Sequence, residues 1–455
     1  MKHSRDQKIL LLSMCFCALV VSACRSSTVT QAAVSPEATP THEQSPDLPT
    51  PSPPPGIQPS PTDPVIPLVT SEPYEFVLDG SPTDIAYLVP LTVQHVGETN
   101  ATLSFELSEP HEGVLFFWDV AGPAREIPFS GETSRHIIKL NDLGGGVEYW
   151  AVVGLKDDTG AYSLPWYVGG EWGEVRFRTF SPDDEPFRVA VVGDSGFGQE
   201  ATFRLLEQMA TFDLDFVLHT GDVVYNIYDD PDAPTSFAWK YYSTFAPILH
   251  RMPVFPVIGN HDVERATLWD GISFYFYAFP RIVDPLVSGS SERREWYSFS
   301  VGSYQFIMLN SQAFYGSGRL TAQTEWLAER LRDDRFSASI PVFHIAPYTS
   351  GMHTNDGVPM RSKWGSYFEQ AQVPLVLSGH DHNYERLIVN DVTYVVSGGG
   401  SSTLYSLREL LPNSKTFARR THFVLLELYS DHIELTSVAL DGEILDRATI
   451  HLVSK

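Results

Sequence analysis

Hydrophobic and polar positions divide the chain into two structured patterns. Thr102–Leu107 and Val175–Phe180 alternate with period two, while Val114–Trp118 is a short apolar run. Val147–Val153 is another, entered from Leu143-Gly144-Gly145-Gly146. Short alternating runs bounded by turn residues predict half-buried strands, and several in succession predict a small β-sandwich. From Phe187 the pattern changes. Phe187–Val192, Leu214–Leu218 and Val254–Ile258 read as later strands, with helix-like stretches between them, and each runs into a polar cluster. Strands buried on both faces, with polar groups at their carboxyl ends, are the layout of an α/β or sheet-sandwich enzyme. Thr321–Leu331 has helical periodicity, with Trp326, Leu327 and Leu331 on one side, and Phe423–Leu428 and Ile433–Thr436 read as closing antiparallel strands.

The first 72 residues follow neither pattern. Lys2, Arg5 and Lys8 precede the apolar run Ile9–Val21, which is short for a membrane span and ends in Val21-Ser22-Ala23-Cys24. Small residues before a cysteine resemble a bacterial lipoprotein cleavage box, so residues 1–23 are expected to be a signal peptide and Cys24 the lipid attachment site. An ordinary secretory signal with an incidental cysteine is the alternative. Residues 24–72 are rich in Ser, Thr and Pro and predict an extended tether. This places the body outside the cytoplasm, held at a lipid membrane by an N-terminal acyl anchor. Cys15, Cys17 and Cys24 are the only cysteines, so the body carries no disulfide.

Bulk numbers narrow the function. With 455 residues, 43% of them hydrophobic, the chain suits two or three domains with substantial cores. Its formal net charge is -25, and no basic stripe is visible, which argues against nucleic acid as a partner. An anionic substrate is still compatible, because bound cations reverse the local field.

Five clusters carry the candidate chemistry. They are Gly193-Asp194-Ser195-Gly196, Gly221-Asp222-Val223-Val224-Tyr225, Gly259-Asn260-His261-Asp262, His344 with the following Pro347, Tyr348 and His353, and Gly379-His380-Asp381-His382. Each is weak alone, because an aspartate after a strand is commonly a cap. Five at predicted strand ends, in compatible order, point to a pair of metal ions. Carboxylate and phenolate oxygens suit a hard trivalent ion, while imidazole and amide suit a borderline divalent one. One carboxylate must bridge if the ions are to stand roughly 3.5–4 Å apart. His380 and His382 lie two apart, and in an extended segment both would point the same way.

These segments, with Gly379–Arg386 as a whole, resemble the purple acid phosphatase branch of the calcineurin-like metallophosphoesterases over about residues 80–455. Leu140, Leu143 and Tyr149 resemble the tyrosine-corner segment of a fibronectin type III module. The resemblance implies an α-β-β-α sandwich, two mixed β-sheets flanked by helices, at 182–455, preceded by a fibronectin type III-like β-sandwich at 73–181. It implies that Asp194, Asp222, Tyr225 and His382 hold Fe(3+), that Asp222 bridges, and that Asn260, His344 and His380 complete a divalent site for Fe, Zn or Mn. His261 and His353 would line the phosphate pocket as catalytic groups. Asp262 could orient His261 from outside the coordination shell, and a plain loop charge is its alternative. Ala346 departs from the family, where a larger residue is common. The implied activity is hydrolysis of small phosphate monoesters by a metal-activated hydroxide, with an acidic optimum. Two alternatives stand beside it: a phosphodiesterase or nucleotide/phospholipid hydrolase on the same centre, and a surface-anchored phosphate-ligand binding protein without turnover.

Overall fold

The computed structural model describes residues 83–167, 173–181, 186–225, 237–263, 275, 278–279, 295–315 and 319–453. The expected signal peptide, Cys24 and the tether lie outside these residues. The description below concerns the compact unit Val69–Lys455.

The alternating N-terminal runs form strands. They are β1 (Ala86–Val96), β2 (Ala101–Leu107), β3 (Gly113–Asp119), β4 (Arg125–Phe129), β5 (Arg135–Leu140), β6 (Glu148–Lys156), β7 (Tyr162–Ser163), β8 (Trp166–Tyr167) and β9 (Val175–Arg178). One sheet has the order β5-β2-β1-β8; the other runs β4-β3-β6-β7, with β9 also paired to β6. Inward residues such as Leu103, Phe105, Leu115 and Phe117 share one core. At its end the Tyr149 hydroxyl accepts the backbone N–H of Gly144 at 2.7 Å, so the glycine turn before β6 is tied back onto the strand that it feeds.

After it come β10 (Phe187–Val192), α1 (Glu200–Met209), β11 (Phe216–His219), α2 (Thr244–Leu249) and β12 (Val254–Pro256). Next are β13 (Tyr297–Val301), β14 (Tyr304–Met308), α3 (Leu320–Arg330), β15 (Ala338–Ile345), α4 (Val358–Gln370) and β16 (Leu375–Gly379). The chain closes with β17 (Tyr384–Val389), β18 (Val392–Ser397), β19 (Ser414–Ala418), β20 (His422–Leu428), β21 (His432–Ala439) and β22 (Ile444–His451). They build two mixed sheets, ordered β12-β11-β10-β20-β21-β22 and β13-β14-β15-β16-β18-β17-β19.

Period-two burial explains the layering. In β14, Phe306 and Met308 join the core between the sheets, whereas Ile307, with Leu309 just after the strand, joins an outer core with Leu327 beside Met360, Trp364 and Phe368 of α4. Strands buried on both faces need helices outside them. On the first sheet α1 supplies Leu205, Leu206 and Met209 and packs on α2 and β20. Phe216 meets Phe299 and Phe306 edge-on across the inter-sheet core, and meets Phe180 from the end of the N-terminal sandwich. Aromatic packing therefore continues from one region into the other.

This topology positions the chemistry. β10, β11 and β12 are adjacent and parallel, as are β14, β15 and β16. Asp194, Asp222 and Asn260 follow the carboxyl ends of the first three, His344 lies at the end of β15, and His380 follows β16.

Candidate metal centre

Three ligand candidates sit on unusual backbone. Asp194, Asp222 and His380 have φ of 57°, 55° and 70°, in the left-handed region that is costly for non-glycine residues and concentrates at functional sites. His380 also departs from the extended geometry expected for the His-x-His segment. β16 ends at Gly379 and β17 begins at Tyr384, so residues 380–383 form a turn rather than a strand. The turn arises because β18 lies between β16 and β17, and the chain must leave the sheet to cross it.

The donors gather in two sets. In the first, the Tyr225 hydroxyl oxygen stands 2.9 Å from Nε2 of His382 and 3.2 Å from Oδ1 of Asp194, with Nε2 of His382 3.4 Å from that same oxygen. In the second, Nε2 of His344 lies 2.9 Å from Oδ1 of Asn260, 3.2 Å from Nδ1 of His380 and 3.5 Å from Oδ1 of Asp222. Ligands about 2.1 Å from a common ion stand ~3 Å apart when at right angles, which is the observed spacing. Donor atoms of Asp222, Asp194 and His344 lie within 4.8 Å of one another, so Asp222 reaches both sets.

The outer contacts fix which nitrogen each imidazole turns inward. His344 Nδ1 donates to the Thr220 carbonyl at 2.9 Å, and His382 Nδ1 donates to the Thr403 carbonyl at 2.6 Å. His380 Nε2 donates to Oδ2 of Asp356 at 3.1 Å. A carbonyl or carboxylate oxygen only accepts, so in the neutral rings the inward nitrogens are bare. His380 Nδ1 and His344 Nε2 then face each other as two lone pairs, and a proton or a cation must lie between them. The backbone N–H of His380 meanwhile occupies Oδ2 of Asp194 and leaves Oδ1 to the first set.

Charge makes the same demand. Asp194 and Asp222 are 0% and 1% exposed, and their recorded ion-pair partners among the described residues are His382 and His344. Removing carboxylates from water costs several kcal/mol each unless a cation compensates. Burial opposes ionisation of Asp194, but the charges of His344, His382 and His380 and a hydrogen bond from His382 outweigh it and lower its pKa. Burial likewise opposes protonation of His380 and His382, yet hydrogen bonds with Asp356 and Asp194 and nearby carboxylate charge raise both above the ordinary value. Burial lowers His344, outweighing the opposing charges of Asp222 and Asp194. Burial, reinforced by Asp222 and Asp194, keeps the Tyr225 phenol well above its usual range. The donor set thus fits metal ions in place of the protons that it now attracts.

Around this centre stand residues with supporting contacts. His261 lies beside Tyr225, ring centres 4.4 Å apart, with a buried Nδ1 that has no hydrogen-bond partner among the described residues. Its backbone N–H donates to Oδ1 of Asp222 at 2.8 Å. Asp262 does not turn to the His261 ring. It accepts the N–H groups of Val223, Val224 and Gly259, stapling the second cluster to the third. Burial and the Asp222 charge push its carboxyl up to about 8 against these hydrogen bonds.

Four contributors were invisible in the sequence reading. Asp356 accepts from both His380 and His353, each at 3.1 Å; the His353-x-x-Asp356 spacing was its only local trace. Buried His219 accepts the Gly221 N–H on Nδ1 and donates from Nε2 to Ser195, joining the first two clusters. Phe197 stacks on Tyr225 with centres 3.7 Å apart, and Tyr405 stacks on His382 at 4.0 Å.

The calcineurin-like phosphoesterase family matches residues 187–384. Purple acid phosphatase 21 of Arabidopsis thaliana is 32% identical over 247 residues, which are 53% of this chain and 53% of that protein. Purple acid phosphatase 23 of the same plant is 28% identical over 280 residues, covering 54% and 59%. The chain therefore spans about half the length of these relatives. The solved structure of purple acid phosphatase PPD1 from yellow lupin (Lupinus luteus) seeds matches with a TM-score of 0.63 at 19% identity, over 79% of this chain and 74% of that one, a likeness of fold. Asp194, Asp222 and His344, and separately His353, Asp356 and His380, are close enough to hold metal on two mixed sheets flanked by helices, in a chain whose segment 187–384 is similar to calcineurin-like phosphoesterases and which resembles plant purple acid phosphatases.

Proposed function

We propose that this protein hydrolyses phosphate monoesters, as an acid phosphatase, at a centre that holds one ferric and one divalent ion (iron, zinc or manganese). The observation that carries this reading is the pair of inward-facing imidazole nitrogens, His344 Nε2 and His380 Nδ1, 3.2 Å apart beside Asn260 and Asp222. Asp194, Tyr225 and His382 would hold the ferric ion, Asn260, His344 and His380 the divalent one, and Asp222 both. When bound, the ions supply positive charge for the phosphoryl oxygens and lower the pKa of a coordinated water.

The chain's own groups supply the rest. His261 and His353 border the two donor sets, and His353 has its Nδ1 engaged by Asp356, which leaves Nε2 as its ring nitrogen without a hydrogen bond among the described residues. The P–O bond to the alcohol breaks as a water oxygen bonds to phosphorus. A protonated His353 gives its proton to the departing oxygen and recovers one from the water. Ester and water become alcohol and phosphate.

Elemental analysis, a visible spectrum and turnover of p-nitrophenyl phosphate test the reading. Two ions per chain, a phenolate-to-iron band and acidic turnover are expected. Chains that bind no metal, or that bind it without turning over the ester, would sink it. Faster turnover of bis(p-nitrophenyl) phosphate than of the monoester would favour a diesterase instead.

Two further parts belong to this proposal. The hydrogen bond from Gly144 to Tyr149 supports a fibronectin type III-like module for 73–181, with the phosphoesterase domain at 182–455. The sequence ending in Cys24 supports a lipid-anchored, extracytoplasmic enzyme on the tether 24–72. Among the described residues no helix is long and apolar enough to cross a membrane. Cys24→Ser should release the protein from the membrane fraction, and retention there would count against the anchor.

A further inference from the structure

Two acidic side chains in the turn and strand after β16 belong to neither donor set. Asp381 and Glu385 are both 0% exposed, deeper than structural carboxylates usually lie without a cation. Both carboxylates are spent on one stretch of chain. Oδ2 of Asp381 accepts the Thr349 hydroxyl at 2.7 Å, and Oδ1 accepts the Met352 N–H at 2.8 Å. The His353 N–H is shared between the two oxygens at 3.2 and 3.3 Å. Glu385 accepts the Ser350 N–H at 2.7 Å and the Ser350 hydroxyl as well.

The placement of Asp381 gives these bonds a consequence. It lies between His380 and His382, so the residue that bonds the His353 backbone moves with the two imidazoles. The His353 ring in turn stands 4.3 Å from the ring of His380. All the donors that meet Asp381 are hydroxyl or N–H, so the site needs a group that only accepts. A carboxylate fills that need with charge-assisted bonds, while an amide would turn a donor toward a donor. On the other side, the Ser350 carbonyl receives the N–H groups of Arg408 and Glu409, and its hydroxyl receives that of Leu411. The same clamp therefore seats the segment that carries Tyr405 over His382.

We propose that Asp381 is a positioning residue that sets His353 at the distance and angle needed to protonate the departing oxygen, with Glu385 seating the neighbouring Ser350. This rests on the phosphoesterase reading above. Misplacing a catalytic group by about 1 Å can cost about 100-fold in rate. Loss of acid catalysis falls hardest on esters whose alcohol is a poor leaving group, because an alkoxide needs the proton more than a nitrophenolate does.

The experiment compares full-length, metal-loaded wild type, Asp381→Asn, Thr349→Val and His353→Ala on p-nitrophenyl phosphate and on glycerol 2-phosphate. Asp381→Asn should lower kcat for the alkyl ester about tenfold more than for the aryl ester, like His353→Ala, with metal content unchanged. Thr349→Val, which removes one of the hydrogen bonds and leaves the carboxylate, should show the same split more weakly, and it decides the matter should Asp381→Asn not fold. In chelator-treated protein, amide hydrogen exchange of segment 349–356 should speed up in Asp381→Asn while the rest of the chain keeps its protection. Equal losses on both esters, loss of metal or unchanged exchange would overturn the positioning role. Wild type inactive on both esters would instead overturn the phosphoesterase reading, and the positioning role with it.

Discussion

The hydroxyl oxygen of Tyr225 lies 2.9 Å from Nε2 of His382, and the Tyr225 ring is stacked on Phe197 at 3.7 Å. The phenol is held among buried carboxylates that favour its protonated form. In the proposed ferric site a strongly charged cation would replace that proton. Tyr225→Phe is therefore expected to abolish the visible absorption band and weaken iron binding by about tenfold or more, with the far-ultraviolet circular dichroism unchanged. A band of full intensity in this variant would exclude phenolate ligation.

Asp356 shares one carboxylate oxygen between His380 and His353. Its hydrogen bond with His380 lowers its own pKa, and that with His353 acts in the same sense, both outweighing partial burial. Carboxylate partners of ligating histidines fix the ring and raise its basicity, and their loss costs roughly 10–100-fold in affinity or activity. On the proposed two-metal reading, Asp356→Asn should weaken the divalent ion selectively and leave the expected iron band in place. Competition with a graded chelator, followed by elemental analysis, measures the difference.

Gly259 has no room for a side chain. A Cβ there would collide with Oδ1 and the backbone N of Asp222. Gly259→Ala must push aside the carboxylate that reaches both donor sets, or shift the Asn260 loop. Expected is loss of at least one ion per chain and a drop in turnover of about 100-fold, while the protein still melts cooperatively. Wild-type metal content in that variant would show that the collision is relieved elsewhere.

Chelator-treated protein should lose stability as pH rises from about 6.5 to about 8. Asp262 in the fold keeps its proton to about 8, while an exposed aspartate loses it near 4. His380 and His382 also hold theirs above the ordinary histidine value. The folded chain thus binds more protons than the unfolded chain in this window, so stability falls with rising pH, by at most about 1.4 kcal/mol per pH unit for each group. His219, His344 and His422, lowered by burial, act on the other side and cost stability only as pH falls below about 6.5. Calorimetric melting at pH 6.5, 7.25 and 8 checks this, and restoring metal should flatten the trend, because the ions replace the protons.

Much of the architecture was legible along the chain. The alternating run at Thr102–Leu107 became β2, and the apolar run at Phe187–Val192 became β10 with the same bounds. The helical period at Thr321–Leu331 became α3 over Leu320–Arg330. α4 was not read, because its buried positions Met360, Trp364, Gly365 and Phe368 carry a stripe diluted by Arg361, Lys363 and a glycine. The same limit applies around the site. Asp262 stands next to His261 in sequence, but its carboxylate turns back to Val223 and Val224, 39 and 38 residues away. Adjacency along a chain says little about direction at a loop.

By itself the sequence determined which chemistry was available: strands ending in Asp, Asn and His, a tyrosine three residues after Asp222, and glycines where backbone must come close. Those properties are local, since residue type, burial period and turn chemistry are written in short windows. Only the tertiary structure decided which nitrogen of each histidine is bare, which oxygen of Asp194 is free and that Asp356 serves two rings. Each depends on an acceptor or donor brought from elsewhere in the chain, as with Thr403 for His382 and Thr220 for His344. Hydrogen bonds select among tautomers by direction within about 3 Å, and direction exists only once the sheets have brought their carboxyl ends together.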